Sequence, residues 1–207
     1  MKQKFLILAA ILMAATMMAN AANSRVSNSK KGVAKNVQNE FTDWHKWLDY
    51  IKIDKPLEIE QYNVIYLRPI DISAVVWPDK TDKQYVGLQK ALEALPGIIK
   101  ENIEKKYPHL NVVIDDQQAV TPDEKALILR LKIDEIDMGN RALRIWVGFG
   151  AGHQSVAISG EVTDVNNEPF FNFRHRRLSD KWDSYEKILT MEFKNFAKDI
   201  CRIFKEL

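Results

Sequence analysis

The sequence of 207 residues contains 30 Lys and Arg against 28 Asp and Glu, which gives a formal net charge of +2 at pH 7. A chain so close to neutrality excludes binding to nucleic acid or to an anionic membrane that rests on overall charge. Its single cysteine, Cys201, excludes an intramolecular disulfide, so the fold has to rest on its hydrophobic core alone.

Residues 1–21 have the pattern of a secretory signal peptide. Lys2 and Lys4 precede an apolar run over residues 5–18, and Ala19 and Ala21 supply the small residues that signal peptidase requires. As a helix the run would extend about 21 Å, which is short of the roughly 30 Å hydrocarbon core of a bilayer. We therefore expect a periplasmic or secreted protein. No cysteine follows the run as a lipid acceptor, and we expect no transmembrane segment after cleavage.

Residues 22–60 are predicted to form a linker and a short aromatic-rich helical segment. Residues 22–37 are polar and basic, which is typical of a flexible spacer. In residues 39–51 the large apolar side chains recur at helical spacing: Phe41, Trp44, Trp47, Leu48 and Ile51. The predicted short helix is either a brace on the core, which we favour, or an element that docks on a partner.

Residues 61–207 are predicted to form a single α+β domain. A strand pattern over residues 62–70 is followed by a helical pattern over residues 79–106, which Pro96 and Gly97 should kink or break. Five further strand patterns then precede an amphipathic helix that begins near Ser184. They cover residues 109–115, 126–137, 142–149, 154–165 and 168–177. This order predicts a mostly antiparallel sheet of about five strands with the helices packed on one face, a two-layer sandwich.

Three local patterns make finer predictions. Asn166-Asn167 is a hairpin turn signal that would place residue 158 opposite His175. Because side chains alternate along a strand, Asp134 should point away from Glu135 and Asp137. The helical position of Cys201 predicts a packed, unreactive thiol.

The motif GFGAG at residues 148–152 is the best candidate for an interaction site. A phosphate-binding loop would lead into a helix, whereas here a strand pattern follows the glycines. Alternate glycines instead remove side chains from one face of a turn or strand end, as Gly160 does further along, and they allow close approach of another group. The predicted interaction residues are Gly148, Phe149, Gly150, Gly152, His153, Arg174 and Arg176.

The two arginines belong to the run Arg174-His175-Arg176-Arg177, the densest basic stretch of the chain. Alternate members of the run should point to opposite faces of a strand. A contact with a sulfate, a phosphate or an acidic glycan is one interpretation. Charge on an edge strand that prevents aggregation is the other, and we favour it.

The stretch VGFGAGHQSVAISGEVTDVNNEPFFNFR resembles the signature region of domain-of-unknown-function family 4410, a group of exported bacterial proteins. The shared features are a glycine-rich turn, an alternating strand and an Asp-centred hairpin, and the order of elements matches over roughly residues 62–207. Here the hairpin reads Asp164-Val165-Asn166-Asn167, without the usual glycine. The resemblance implies an envelope or periplasmic protein, and it implies no catalytic residues.

No catalytic motif stands out, so we predict a non-enzymatic binding domain for an unknown protein or envelope component, without cofactor or metal. The sequence has neither a G-x-S-x-G motif nor a pair of histidines at the spacing of a helical zinc site. Two alternatives remain open. One is a small hydrolase or metal-dependent enzyme at the strand ends, using some of Asp115, Asp116, His153 and His175. The other is a structural subunit that self-assembles through residues 39–51.

Overall fold

The computed structural model describes residues 39–114, 125–137, 139, 154–179 and 183–207. Within these ranges the chain forms an α+β fold of seven strands and two α-helices, with a short 3-10 turn at Ile59–Gln61 before β3. The elements are β1 (Glu40–Trp44), β2 (Leu48–Ile53), β3 (Val64–Leu67), α1 (Lys83–Lys106), β4 (Asn111–Ile114), β5 (Ala126–Asp137), β6 (Gln154–Asp164), β7 (Pro169–Ser179) and α2 (Tyr185–Glu206).

The seven strands form one mixed sheet in the order β1-β2-β7-β6-β5-β3-β4. Neighbours from β1 to β5 in this order are antiparallel, whereas β3 is parallel to both β5 and β4. The prediction of a mostly antiparallel sheet of about five strands is therefore wrong. Because α1 connects β3 to β4, the two strands form a strand–helix–strand unit, which requires them to be parallel. The strand predicted at residues 142–149 lies outside the described residues.

The aromatic-rich segment forms a β-hairpin, and the short helix predicted for residues 39–51 is wrong. Trp44 pairs with Leu48 and Phe41 pairs with Ile51 across the hairpin. Leu48 and Ile51 are buried in the main core, and β2 continues the sheet by pairing with β7. The segment thus braces the core, as we favoured, although it does so as two strands.

Both helices pack on the same face of the sheet. The apolar face of β7 contacts α2, where the rings of Phe173 and Phe196 lie 6.0 Å apart between centroids. Helix α1 adds its buried stripe to the same core cluster as the inward residues of β5 and β3. It runs without a break through Pro96. Both helices therefore form one layer on one face of the sheet, as in the predicted two-layer arrangement.

The helices lie side by side and run in the same direction. Near their N-termini, Gly87 of α1 lies against Glu186 of α2. Near their C-termini, the Tyr107 hydroxyl donates to the carbonyl oxygen of Cys201 at 2.9 Å. Both N-termini therefore lie at one end of the domain, and both C-termini lie at the other.

Gly160 of β6 faces the helices, and its lack of a side chain is required by packing. A Cβ at this position would lie 2.6 Å from two ring carbons of Phe173 and 2.8 Å from Cδ2 of Leu131. Since carbon atoms in contact are about 3.5–4.0 Å apart, the Phe173 ring occupies the space that a side chain would need. The expected close approach at this glycine is made by an aromatic ring.

The hairpin between β6 and β7 has the predicted register. Asn167 adopts a positive φ of 63°, and Ile158 lies opposite His175. The Asp164 carboxylate closes the turn by accepting hydrogen bonds from the backbone N–H groups of Asn166 and Glu168, each at 2.9 Å.

Candidate functional site

Five of the seven predicted interaction residues belong to the glycine-rich turn and lie outside the described residues: Gly148, Phe149, Gly150, Gly152 and His153. Gln154, the first described residue after the glycines, begins strand β6. A strand therefore follows the glycines, as predicted. Asp115 and Asp116, which the enzyme alternative invoked, also lie outside the described residues.

The remaining two predicted residues, Arg174 and Arg176, lie on the helix-free face of the sheet, where no described helix packs. Arg174 Nε lies 3.2 Å from a carboxylate oxygen of Asp134, and the Arg176 guanidinium forms an ion pair with Glu135. The strand that carries the two arginines lies between β2 and β6. The interpretation of this run as protection of an edge strand is therefore wrong, because β7 is interior to the sheet.

A β-bulge lets Asp134 and Glu135 serve the same face. The register between β5 and β6 shifts between Ile133 and Glu135. Asp134 accepts a hydrogen bond from the Ser159 hydroxyl at 3.1 Å, on the face that Glu135 also occupies. The prediction that Asp134 points away from Glu135 is wrong, since the extra residue of a bulge interrupts the alternation of side chains.

A cavity of about 560 Å³ lies on this helix-free face, across the middle of the sheet. Its charged lining residues are Arg68, Arg130, Lys132, Arg174, Asp71 and Glu161, so four cations face two carboxylates. Tyr50, Ser159 and Asn172 add an aromatic ring and neutral hydrogen-bonding groups. An arrangement of this kind suits a polar ligand that carries acidic groups.

The cations of the cavity differ in how they are held. Arg130 donates to the Thr163 hydroxyl at 3.1 Å and lies 3.6 Å from the Glu161 carboxylate. Lys132 is exposed and has no ion pair with any carboxylate in the part of the chain that the structure describes. Hydrogen bonds from the Ser73 hydroxyl and backbone N–H lower the pKa of the Asp71 carboxyl, which keeps it ionised. The positive charge of Lys132 also contributes to the lowered pKa of Asp71, although the two groups form no ion pair within 4 Å.

The other two members of the basic run, His175 and Arg177, face α2 and build a buried network. Arg177 donates to Glu192 at 2.9 Å and to Asp199 at 2.7 Å. Burial by itself would lower the pKa of Arg177, but the hydrogen bond to Glu192 and the charge of Asp199 outweigh burial and raise it. The Nε2 atom of His175 lies 3.4 Å from Asp199.

His175 does not lie at a strand end, where the enzyme alternative placed a site. It is in the middle of β7, it is 7% exposed, and its Nδ1 atom lies 3.4 Å from the Asp49 carboxylate of the β1–β2 hairpin. Among the described residues, no group of three His, Cys, Asp or Glu side chains is placed to hold a metal ion. His175 joins the hairpin, the sheet and α2, which is a structural arrangement.

A second pocket, of about 640 Å³, lies where the two helix N-termini meet. Gly139 and Gln154, the described residues on either side of the glycine-rich turn, both line it. The Tyr185 hydroxyl and the Gln154 side-chain oxygen are buried and have no hydrogen-bond partner among the described residues. The helix N-termini at this pocket belong to α1 and α2 and not to a helix that follows the glycines.

These features define an α+β domain with a polar, cation-lined face on one side of its sheet and a helix layer on the other. Residues 65–186 match the family model described as a domain of unknown function, DUF4410. The match spans more than half of the chain, so the protein belongs to this family, as the resemblance of the glycine-rich region predicted. No curated protein matches the sequence.

The similarities to solved structures are distant. The chain is 11% identical to a PelC dodecamer from Paraburkholderia phytofirmans, over 70% of this chain and 91% of that one, with a TM-score of 0.43. It is 10% identical to an uncharacterised protein over the same shares of the two chains, with a TM-score of 0.38. None of the described helices is long and apolar enough to cross a membrane.

Proposed function

We propose that the protein is an exported, non-catalytic domain that binds its partner in the cavity on the helix-free face of the sheet. The sequence of residues 1–21 supports export, since a basic start, an apolar run and small residues follow one another there. Four cations against two carboxylates support a partner that carries acidic groups, such as carboxylate, sulfate or phosphate.

The cavity carries this proposal because its cations are held in place on an open face of the sheet. Arg174 forms an ion pair with Asp134, and Arg130 contacts the Thr163 hydroxyl and the Glu161 carboxylate. These contacts fix both guanidinium groups before a partner binds. Lys132, two residues from Arg130 on β5, has no described ion pair. A surface that is ordered in advance loses less conformational entropy on binding.

The hairpin observations bear on the self-assembly alternative. Leu48 and Ile51 are 1% and 0% exposed, and Trp44 is 7% exposed. The apolar side chains proposed to dock on a neighbour therefore lie in the core of their own domain. Removal of residues 39–51 would expose that core, so it would not test assembly separately from folding.

The test compares two single charge reversals. Lys132→Glu changes the cavity without removing a described ion-pair partner. Lys90→Glu makes the same change of charge on the helix layer, where it also removes the exposed 4.0 Å ion pair with Glu186. The wild type and both variants are immobilised and incubated with the envelope fraction of the host. We expect Lys132→Glu to lose the retained partner and Lys90→Glu to keep it. Equal retention by all three proteins would exclude the cavity as the binding site.

A further inference from the structure

A second charged feature lies on the opposite side of the domain, in the helix layer. A solvent-facing groove of about 490 Å³ runs between the C-terminal halves of α1 and α2. Its floor includes Cys201, which is 6% exposed, and its rim carries five cations: Lys105, Lys106, Lys198, Arg202 and Lys205. We refer to these five residues as the basic groove.

The nearby carboxylates pair with only one of the five cations of the basic groove, Arg202. Asp199 points inward to Arg177, and Glu104 accepts a hydrogen bond from Lys100 at 2.6 Å. Glu206 is held by Arg202 at 2.9 Å, which leaves the four lysines of the groove without an ion pair to any carboxylate that the structure describes. Glu101 is exposed, but it does not line the groove.

The lysines also continue along α2 beyond the groove. Lys194, Lys198 and Lys205 are spaced by 4 and 7 residues. At 3.6 residues per turn this spacing puts them within about 40° on one helix face, and the row extends about 17 Å. Stabilisation of the helix dipole does not explain the row, because dipole effects are confined to the last turn and Lys194 and Lys198 lie well before it.

We propose that this face docks the protein on the surface of an anionic phospholipid bilayer. The cations are flexible lysines spread along a row, and the part of the chain that the structure describes places no buried donor in the groove that would fix one small anion. Lysine is a hydrated point charge without a preferred bonding geometry, which suits a layer of mobile headgroups better than a single bidentate site. Four to eight basic residues on an amphipathic helix are typical of binding to anionic lipid.

The near-zero net charge of the chain is compatible with such docking because the charges are segregated in space. Screening limits each surface charge to about 8 Å at physiological salt, so a bilayer responds to the local row of lysines and not to the total. Docking through the helix layer would leave the cavity on the helix-free face exposed. The inference therefore stands independently of the proposed function.

The first experiment maps lysine acetylation in the full chain by mass spectrometry, with vesicles of phosphatidylcholine alone or mixed equally with phosphatidylglycerol. At about 0.1 M salt we expect the mixed vesicles to slow acetylation several-fold at Lys194, Lys198 and Lys205. The same vesicles should leave the rate unchanged at Lys80, Lys83 and Lys90, near the other end of the helix layer. Protection should disappear at about 1 M salt, where the screening length falls to about 3 Å.

Site-by-site protection shows which lysines approach the bilayer, and its loss at high salt separates a charge-driven contact from insertion of the apolar N-terminal run. Equal protection of both sets, or protection by phosphatidylcholine alone, would overturn the proposal. Loss of protection with inorganic phosphate at constant ionic strength would instead assign a small-anion site. Protection by soluble polyglutamate but not by the vesicles would assign an acidic protein partner, and would equally overturn it.

The second experiment measures the salt-dependent part of vesicle partitioning for two triple variants of equal charge. The test variant replaces three lysines of the row, Lys194→Gln, Lys198→Gln and Lys205→Gln. The control variant carries Lys80→Gln, Lys83→Gln and Lys90→Gln. At about 5-fold for each cation, the test variant should lose binding on the order of 100-fold and the control should lose little. Equal losses would reject the row as the docking surface.

Discussion

Replacement of Gly160 by alanine should destabilise the fold through a single methyl group. The new Cβ would lie 2.6 Å from two ring carbons of Phe173, about 1 Å inside the normal contact distance. The ring has little room to retreat, since Phe173 is 2% exposed and packs against Phe196 of α2. Overpacking of this kind costs about 1–3 kcal/mol, and the removal of glycine flexibility returns about 0.5–1 kcal/mol. We expect a net loss of about 1–2 kcal/mol in the free energy of unfolding.

Urea unfolding followed by tryptophan fluorescence measures this loss, and Gly97→Ala provides the matched control. Gly97 is exposed in the interior of α1, and apart from its chain neighbours and the backbone of its own helix no described atom lies within 4 Å of its Cβ position. Alanine should therefore stabilise by about 0.5–1 kcal/mol. The two midpoints should therefore move in opposite directions. Adding Phe173→Leu to Gly160→Ala should cost less than the sum of the single changes. A Gly160→Ala protein as stable as the wild type would refute the packing argument.

Three further outcomes follow from the buried groups. Burial raises the pKa of Tyr107 to about 12 from 10.0. Stability should therefore fall as the pH rises from about 10 to about 12, because the unfolded chain releases this proton at a lower pH than the folded chain. In urea unfolding, Tyr107→Phe should remove that part of the pH dependence. Burial also raises the pKa of Cys201 to about 11, so the thiol should resist iodoacetamide at pH 8 until denaturant is added, and native labelling at the rate of a free thiol would contradict this. Arg177→Met should lower the free energy of unfolding by about 3–5 kcal/mol, because it leaves the buried Glu192 unpaired. Arg174→Met on the helix-free face should lower it by at most about 1 kcal/mol. Equal losses would show that burial does not determine how much each ion pair contributes to stability.

Patterns confined to one element could be read from the sequence. The Asn166-Asn167 signal gave the correct pairing of Ile158 with His175, since a hairpin turn sets the register of both strands. The apolar stripe of α2 likewise identified its buried face, from Tyr185 to Phe204. The mixed sheet was harder to predict, because parallel pairing depends on which strands a crossover brings together and not on the pattern within either strand.

The hairpin of residues 39–51 shows how a periodic signal can mislead. Apolar side chains at positions 41, 44, 48 and 51 fit one face of a helix, but the same four residues also form two cross-strand pairs of a hairpin. Positions 44 and 48 pair across the turn, as do 41 and 51. The sequence of the turn did not indicate a hairpin. His45 and Lys46 adopt positive φ values of 49° and 64°, but the turn lacks the Asn-Gly or Asp-Gly pair that is typical of hairpins.

The sequence signal for the buried network around the basic run of β7 was on α2. Glu192 falls within the apolar stripe of α2 and is 5% exposed, and a carboxylate in such a position requires a cation on the surface it packs against. Strand alternation sends only His175 and Arg177 of the run to that surface. The run therefore contains two pairs of residues with different contacts. His175 and Arg177 face inward and contact α2 and the hairpin, whereas Arg174 and Arg176 face outward on the helix-free face. Substitutions at the inward pair should change stability first, and those at the outward pair should change binding first.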